Sequence, residues 1–258
     1  MFHVKHGHML SIPKKYALKE MLGGMEFSLF FEKYKKIVES ADKAFEQIKK
    51  DYGDCVTCKI ECSDCCHALF DISLVEALYI GRKFREKFNG ADLDHLLEKA
   101  NNADRKIYRL KKEAYREFKE GKDEAVIFEK LAEERVRCPM LNDRDECDIY
   151  EFRPITCRLY GVPTAIGGKG HTCGYSAFTK GVRYPTVNLD AIHRALYTIS
   201  FELVQHIGSK YPGLAEMIVP LSMALLTVYD EQYLGIADHE NKQDPSQKEN
   251  GNDVATDD

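Results

Sequence analysis

The sequence predicts a mainly α fold, with helices packed around an irregular, cysteine-rich, metal-held centre. Three observations predict it. Apolar residues recur at three- and four-residue steps through most of the chain, the signature of amphipathic helices. No strand-rich run or internal repeat interrupts them. Nine cysteines gather in two segments that lack this periodicity.

The 258 residues carry 31% charged and 44% hydrophobic side chains, ordinary for a water-soluble globular protein. The length and pattern fit one helical domain over residues 25–237. A flexible segment, 1–24, is expected before it. The polar run 238–258 is expected to be disordered. His3, His6 and His8 fall in the first segment, where nothing nearby would order them, so they read as a flexible start and not as a metal site.

The first helix is expected over residues 25–51. Phe27, Phe30, Tyr34, Ile37, Ala41, Phe45 and Ile48 form its stripe, and Gly53 stops it. The cysteine run Asp54–Cys66 follows as a compact loop. Ser73 and Glu76 make a capping box for the next helix, whose face continues through Leu78, Phe84 and Phe88. Asn89-Gly90 breaks it. A long helix over 92–119 carries Leu93, Leu97, Ala100, Ala103, Ile107, Leu110, Ala114 and Phe118. A shorter helix follows over 123–136. The charges of both read as solvated faces with i,i+4 pairs.

Residues 138–186 change character. Proline and glycine are frequent and apolar periodicity is weak, so loops and short turns are expected, with brief helix near Tyr150. Metal cross-links would then replace a core. Helix returns after Asn188, a good N-cap, and closes at Gly208. A last apolar helix is expected over 214–230, kinked at Pro220.

The chemistry lies in Cys55, Cys58, Cys62, Cys65 and Cys66, and in Cys138, Cys147, Cys157 and Cys173. Thiolates at two- and three-residue separations can converge on one soft ion or cluster. All nine are candidate ligands, with Cys55 the spare of an odd count. The two segments stand some seventy residues apart, so they must meet in space to close one site. Disulfides are disfavoured. No secretory signal is visible, a cytoplasmic location is expected, and thiols stay reduced there. The cofactor is either zinc or an iron–sulfur cluster. Adjacent Cys65 and Cys66 and the prolines beside Cys138 and Cys157 lean toward iron–sulfur.

Arg153 and Arg158 flank Cys157 and could offset thiolate charge or pair with Glu151 or Asp148. Tyr150 reads as a core residue between Ile149 and Phe152. His67 and His171 could replace a thiolate in a zinc site. Gly167-Gly168-Lys169-Gly170 fails the phosphate-loop pattern, with Pro163 and Gly170 at the wrong places, and reads as a mobile loop. The net charge of −5 gives no basic field for nucleic acid, and no apolar run would span a membrane.

These residues fall in a recognisable order. Cys62-Ser63-Asp64-Cys65-Cys66 precedes Cys138-Pro139-Met140-Leu141, and then Cys147-Asp148-Ile149-Tyr150-Glu151-Phe152-Arg153-Pro154-Ile155-Thr156-Cys157-Arg158. The pattern resembles the CxxCxxCC cysteine-cluster family of YkgJ-type proteins, described as a zinc- or iron-chelating domain. One departure is that three residues, not two, separate Cys58 from Cys62. Either Cys58 or Cys55 then corresponds to the family's first cysteine. The resemblance implies metal binding over about residues 55–175. A looser likeness to flagellin lysine N-methylases adds a metal-dependent methyltransferase as one alternative. A zinc-held interaction module is another. No complete acid–base or nucleophile set marks the chain as an enzyme.

Overall fold

The computed structural model describes residues 26–59 and 62–236. The expected flexible start, including its three histidines, and the expected disordered tail lie outside them. The described chain is mainly helical.

Helix α1 spans Ser28–Asp51 and buries Phe30, Phe31, Tyr34, Ala41 and Ile48. It packs against the later helices α5 (Ile155–Leu159) and α6 (Leu189–His206). The chain then makes two single-turn 3-10 segments, Gly53–Cys55 and Asp64–His67, on either side of the first cysteines. Strand β1 (Asp71–Ser73) leads into α2 (Leu74–Lys87). The capping box forms: the Ser73 N–H and hydroxyl donate to Glu76 Oε2 at 3.2 and 3.1 Å.

Helix α3 (Gly90–Lys119) buries Leu96, Ala100 and Ala103 but leaves the far half of its stripe half-covered or exposed. At its end Gly121 turns the chain with φ +83°, a conformation that suits glycine. Asp123 caps α4 (Glu124–Glu133), accepting from Ala125 N at 2.8 Å and Val126 N at 3.3 Å. The expected helix to residue 136 stops at Glu133. Beyond it the chain extends to pair with the first cysteine segment, which claims its backbone groups.

Two small sheets complete the fold. β1 pairs antiparallel with β5 (Ile218–Pro220), Ile72 opposite Val219. β2 (Thr164–Ile166) lies between antiparallel β3 (Lys169–His171) and parallel β4 (Val187–Asn188). Asn188 caps α6 as expected, accepting from Ala191 N at 3.0 Å. The expected kinked helix over 214–230 is instead a 3-10 turn, β5, and the short α7 (Leu221–Leu226), followed by α8 (Glu231–Leu234). Proline disfavours helical backbone in the residue before it, so Val219 is extended and Pro220 caps α7 from outside.

One apolar cluster joins the elements. It includes Phe27 just before α1 and Tyr34 within it, Leu74, Leu78 and Phe84 from α2, Leu196 and Leu203 from α6, and Ala224 and Leu225 from α7. It also takes in Met140, Ile149, Phe152, Ile155, Leu159 and Val162. That corrects the expectation that the second cysteine segment owes its order to metal alone. Residues 138–162 bring their own apolar anchors, spaced irregularly because turns, not a helix, present them. No helix among the described residues is long and apolar enough to cross a membrane.

Candidate metal centre

Two backbone seams bring the cysteine segments together. The N–H of Cys138 donates to the Cys66 carbonyl at 2.7 Å, and that of Val136 to the His67 carbonyl at 3.0 Å. On the other side, the N–H of Ala177 donates to the Cys55 carbonyl at 2.9 Å, and the Thr57 hydroxyl to the Tyr175 carbonyl at 2.8 Å.

Local turns then set each thiol. Asn142 Oδ1 accepts from the N–H groups of Arg144 and Glu146, closing a tight loop between Cys138 and Cys147. Asp148 N–H returns to the Met140 carbonyl at 2.9 Å. Cys157 rides on α5, whose first N–H, that of Ile155, donates to Glu76 Oε1 at 3.2 Å. Glu76 thus ties the start of α2 to the start of α5. Its burial raises its carboxyl above the ordinary range, against the pull of those hydrogen bonds.

Cys58, Cys62, Cys65, Cys66, Cys138, Cys147, Cys157 and Cys173 all line one open cavity of about 2020 Å³. Cys55 does not line it. His67 and His171 do not line it either; His67 Nδ1 lies 3.0 Å from the Ser63 carbonyl oxygen. All nine cysteines are free thiols. Among the described residues no three His, Cys, Asp or Glu side chains are gathered closely enough to hold an ion as they stand. The eight thiols are spread over the cavity lining.

Burial dominates the acidity of this ring. It pushes Cys138 up to about 12 and Cys58 up to about 11, and it raises Cys147, Cys157 and Cys173. Cys65 runs the other way: a hydrogen bond from the Cys66 thiol lowers it, and the nearby Arg153 charge adds to that. A soft cation binding the raised thiols would do so by displacing their protons.

The two arginines divide the work. Arg158 is almost fully buried and donates to both Asp42 oxygens, at 3.0 and 2.8 Å, and to the carbonyls of Arg153 and Glu151. Its carboxylate partner is Asp42, not the expected Glu151 or Asp148. Arg153 is the cation whose charge reaches Cys65, Cys147 and Cys157. Its guanidinium lies 3.7 Å from the ring centre of Tyr150. Tyr150 is 62% exposed, which corrects its reading as a core residue. The 3-10 turn Tyr150–Phe152 sends Ile149 and Phe152 inward and Tyr150 out.

Sequence reasoning missed Asp64 and Gly161. Asp64 pairs with Arg135 through one oxygen, and its Oδ2 lies 3.5 Å from Cys173 Sγ. Gly161 leaves room for the Cys58 sulfur beside its backbone. The cavity lining also includes apolar residues of other helices. Ile107, Tyr115 and Phe118 of α3, Phe128 and Leu131 of α4, and Met223 of α7 are among them.

Residues 55–174 match the model of the CxxCxxCC family, whose description is "Putative zinc- or iron-chelating domain". No curated protein and no solved structure matches the chain.

Proposed function

We propose that the cavity lined by eight cysteines of the segment that matches a zinc- or iron-chelating family holds a thiolate-bound metal centre. One observation carries the reading: eight of nine cysteines, from segments some seventy residues apart, line the same cavity. The donor set fits the group. Thiolates select zinc or iron–sulfur clusters over hard cations, and Arg153 supplies a compensating charge at the ring. Between the two, an iron–sulfur cluster is favoured, because adjacent Cys65 and Cys66 suit a cluster edge better than one tetrahedral ion. Such a centre supplies either a structural cross-link or a one-electron carrier. The chain's own residues hold the thiols in register and half-bury all but Cys58.

Anaerobic purification followed by metal and acid-labile sulfide analysis tests this. Iron with matching sulfide and a broad visible absorption is the expected result. Zinc without sulfide would move the centre to the zinc form. A protein that binds neither metal under reducing conditions would overturn the reading.

The size of the cavity favours a second reading, a metal-cluster-dependent enzyme such as a methyltransferase. Ligand pockets run to about 300–1,000 Å³, and this cavity leaves room for a substrate beside the thiols. Binding of a small molecule that perturbs the visible spectrum of the loaded protein would support it.

A further inference from the structure

We propose that the cavity thiols form two subsites of different chemistry: an inner all-thiolate centre of Cys65, Cys66, Cys138, Cys147 and Cys157, and an outer, exchangeable site for a divalent cation such as Zn2+, in which Asp64 joins Cys58, Cys62 and Cys173. The inference rests on the reading that the thiols hold metal. It adds where metal enters and which residues hold it there.

The backbone divides the thiols first. The seam of Cys66 and His67 with Val136 and Cys138 builds the inner side. The seam of Cys55 and Thr57 with Tyr175 and Ala177 builds the outer side, and it sets the Cys58 loop against the Cys173 loop. Side-chain neighbours divide them the same way. Cys157 lies near enough to Cys65, Cys138 and Cys147 to feel their charge. Cys58 lies near enough to Cys62 and Cys173, and also to Cys65, to feel theirs.

The outer set differs in chemistry and in access. Asp64 Oδ2 stands 3.5 Å from Cys173 Sγ, while Arg135 holds the other carboxylate oxygen and aims the group. Zinc accepts a mixed set of thiolates and carboxylate, and the harder oxygen binds a borderline cation less firmly than a fourth thiolate would. Cys58 is the exposed cysteine of the nine, and the other eight are half-buried. A cation held in part by Cys58 would therefore meet solvent on that side.

The experiment uses the full chain under anaerobic conditions. Co2+ is added as the probe, and thiolate-to-cobalt absorption, total metal and the rate of release to a chelator are measured. The wild type is expected to take up cobalt in a fast-exchanging fraction and to keep a slowly released metal. Cys173→Ser should lose the fast fraction and retain the slow one. Cys157→Ser should do the reverse. Asp64→Asn should keep the slow metal and release the fast one about tenfold sooner or more, as loss of a ligating charge does. Arg135→Gln, which keeps the carboxylate, should have a smaller effect. Loss of all metal in both Cys173→Ser and Cys157→Ser would mean one centre, and it would overturn this proposal while leaving the metal reading intact. Full retention of the fast fraction in Cys173→Ser would overturn it as well. A wild type that binds no metal would sink the underlying reading along with it.

Discussion

The sulfur of Cys58 lies against the backbone of Gly161, in the space where a side chain at that position would begin. Phe45 borders the same space from α1. Gly161 has no left-handed backbone to protect; its role is steric. Gly161→Ala should displace Cys58 and cost about 1–3 kcal/mol, the usual range for overpacking. Denaturant unfolding measures the cost. An unchanged midpoint together with unchanged reactivity of Cys58 would show that the loop yields freely.

Glu76 offers a second test. Glu76→Ala removes the acceptor for the N–H groups of Ile155 and Ser73, and each buried unsatisfied donor costs about 1–3 kcal/mol. Glu76→Gln keeps an acceptor oxygen and should cost less. Because burial raises the folded-state pKa of Glu76, its favourable contribution is full below the unfolded value of 4.5 and is lost as pH rises through the folded value. Relative to Glu76→Gln, the wild type should therefore lose stability as pH rises above 4.5 and through the folded value. Parallel pH dependences for the two proteins would contradict this.

Metal content should rank three variants. Cys157→Ser removes a half-buried thiol of the ring and should lower bound metal, since a neutral hydroxyl is a poor ligand for a soft centre. Cys55→Ser should leave it near the wild-type level, because Cys55 does not line the cavity. Arg153→Ala should keep metal bound but weaken it about 10–100-fold, as loss of a supporting charge does. Full loading of Cys157→Ser beside an empty Cys55→Ser would reverse the assignment.

Chelation should act unevenly on the second cysteine segment. Residues 138–162 are anchored by Met140, Ile149, Ile155, Leu159 and Val162, so their amide protection should survive metal removal. Residues 173–184 have fewer supports, chiefly the seam to Cys55 and Thr57 and the ring contacts of Tyr184 with Phe178 and Tyr52. Their protection should fall first. Equal loss in both parts, read by hydrogen exchange, would restore metal as the main source of order throughout.

The helices were the legible part of this chain, because a periodic stripe such as Phe27–Ile48 or a cap such as Ser73 with Glu76 is written in adjacent residues. The gathering of the cysteines was legible from their spacing. The anchors of residues 138–162 were not. Met140, Ile149 and Val162 follow no period, since successive turns, each closed by its own hydrogen bonds, aim them at the core. The last apolar run misled for a related reason. Residues 214–230 have helical spacing, but Ile72 and Val219 pair across strands and Pro220 enforces the break. Asp64 and Gly161 carry no sequence signal of their own; both matter through partners, Cys173 and Cys58, that lie far away along the chain.

The pairing of Cys66 with Cys138 has a topological consequence. It pins both ends of the excursion that contains α2, α3 and α4 through a backbone hydrogen bond, so the excursion is a closed loop that also packs into the core. The entropy of such a closure grows only with the logarithm of its length. Added or deleted residues at the exposed Gly121–Lys122 turn should therefore change the spacing of the two cysteine segments in sequence while leaving their meeting in space intact. The distance between the two segments along the chain is thus a poor guide to the centre, and proteins with quite different excursions could carry the same ring of thiols.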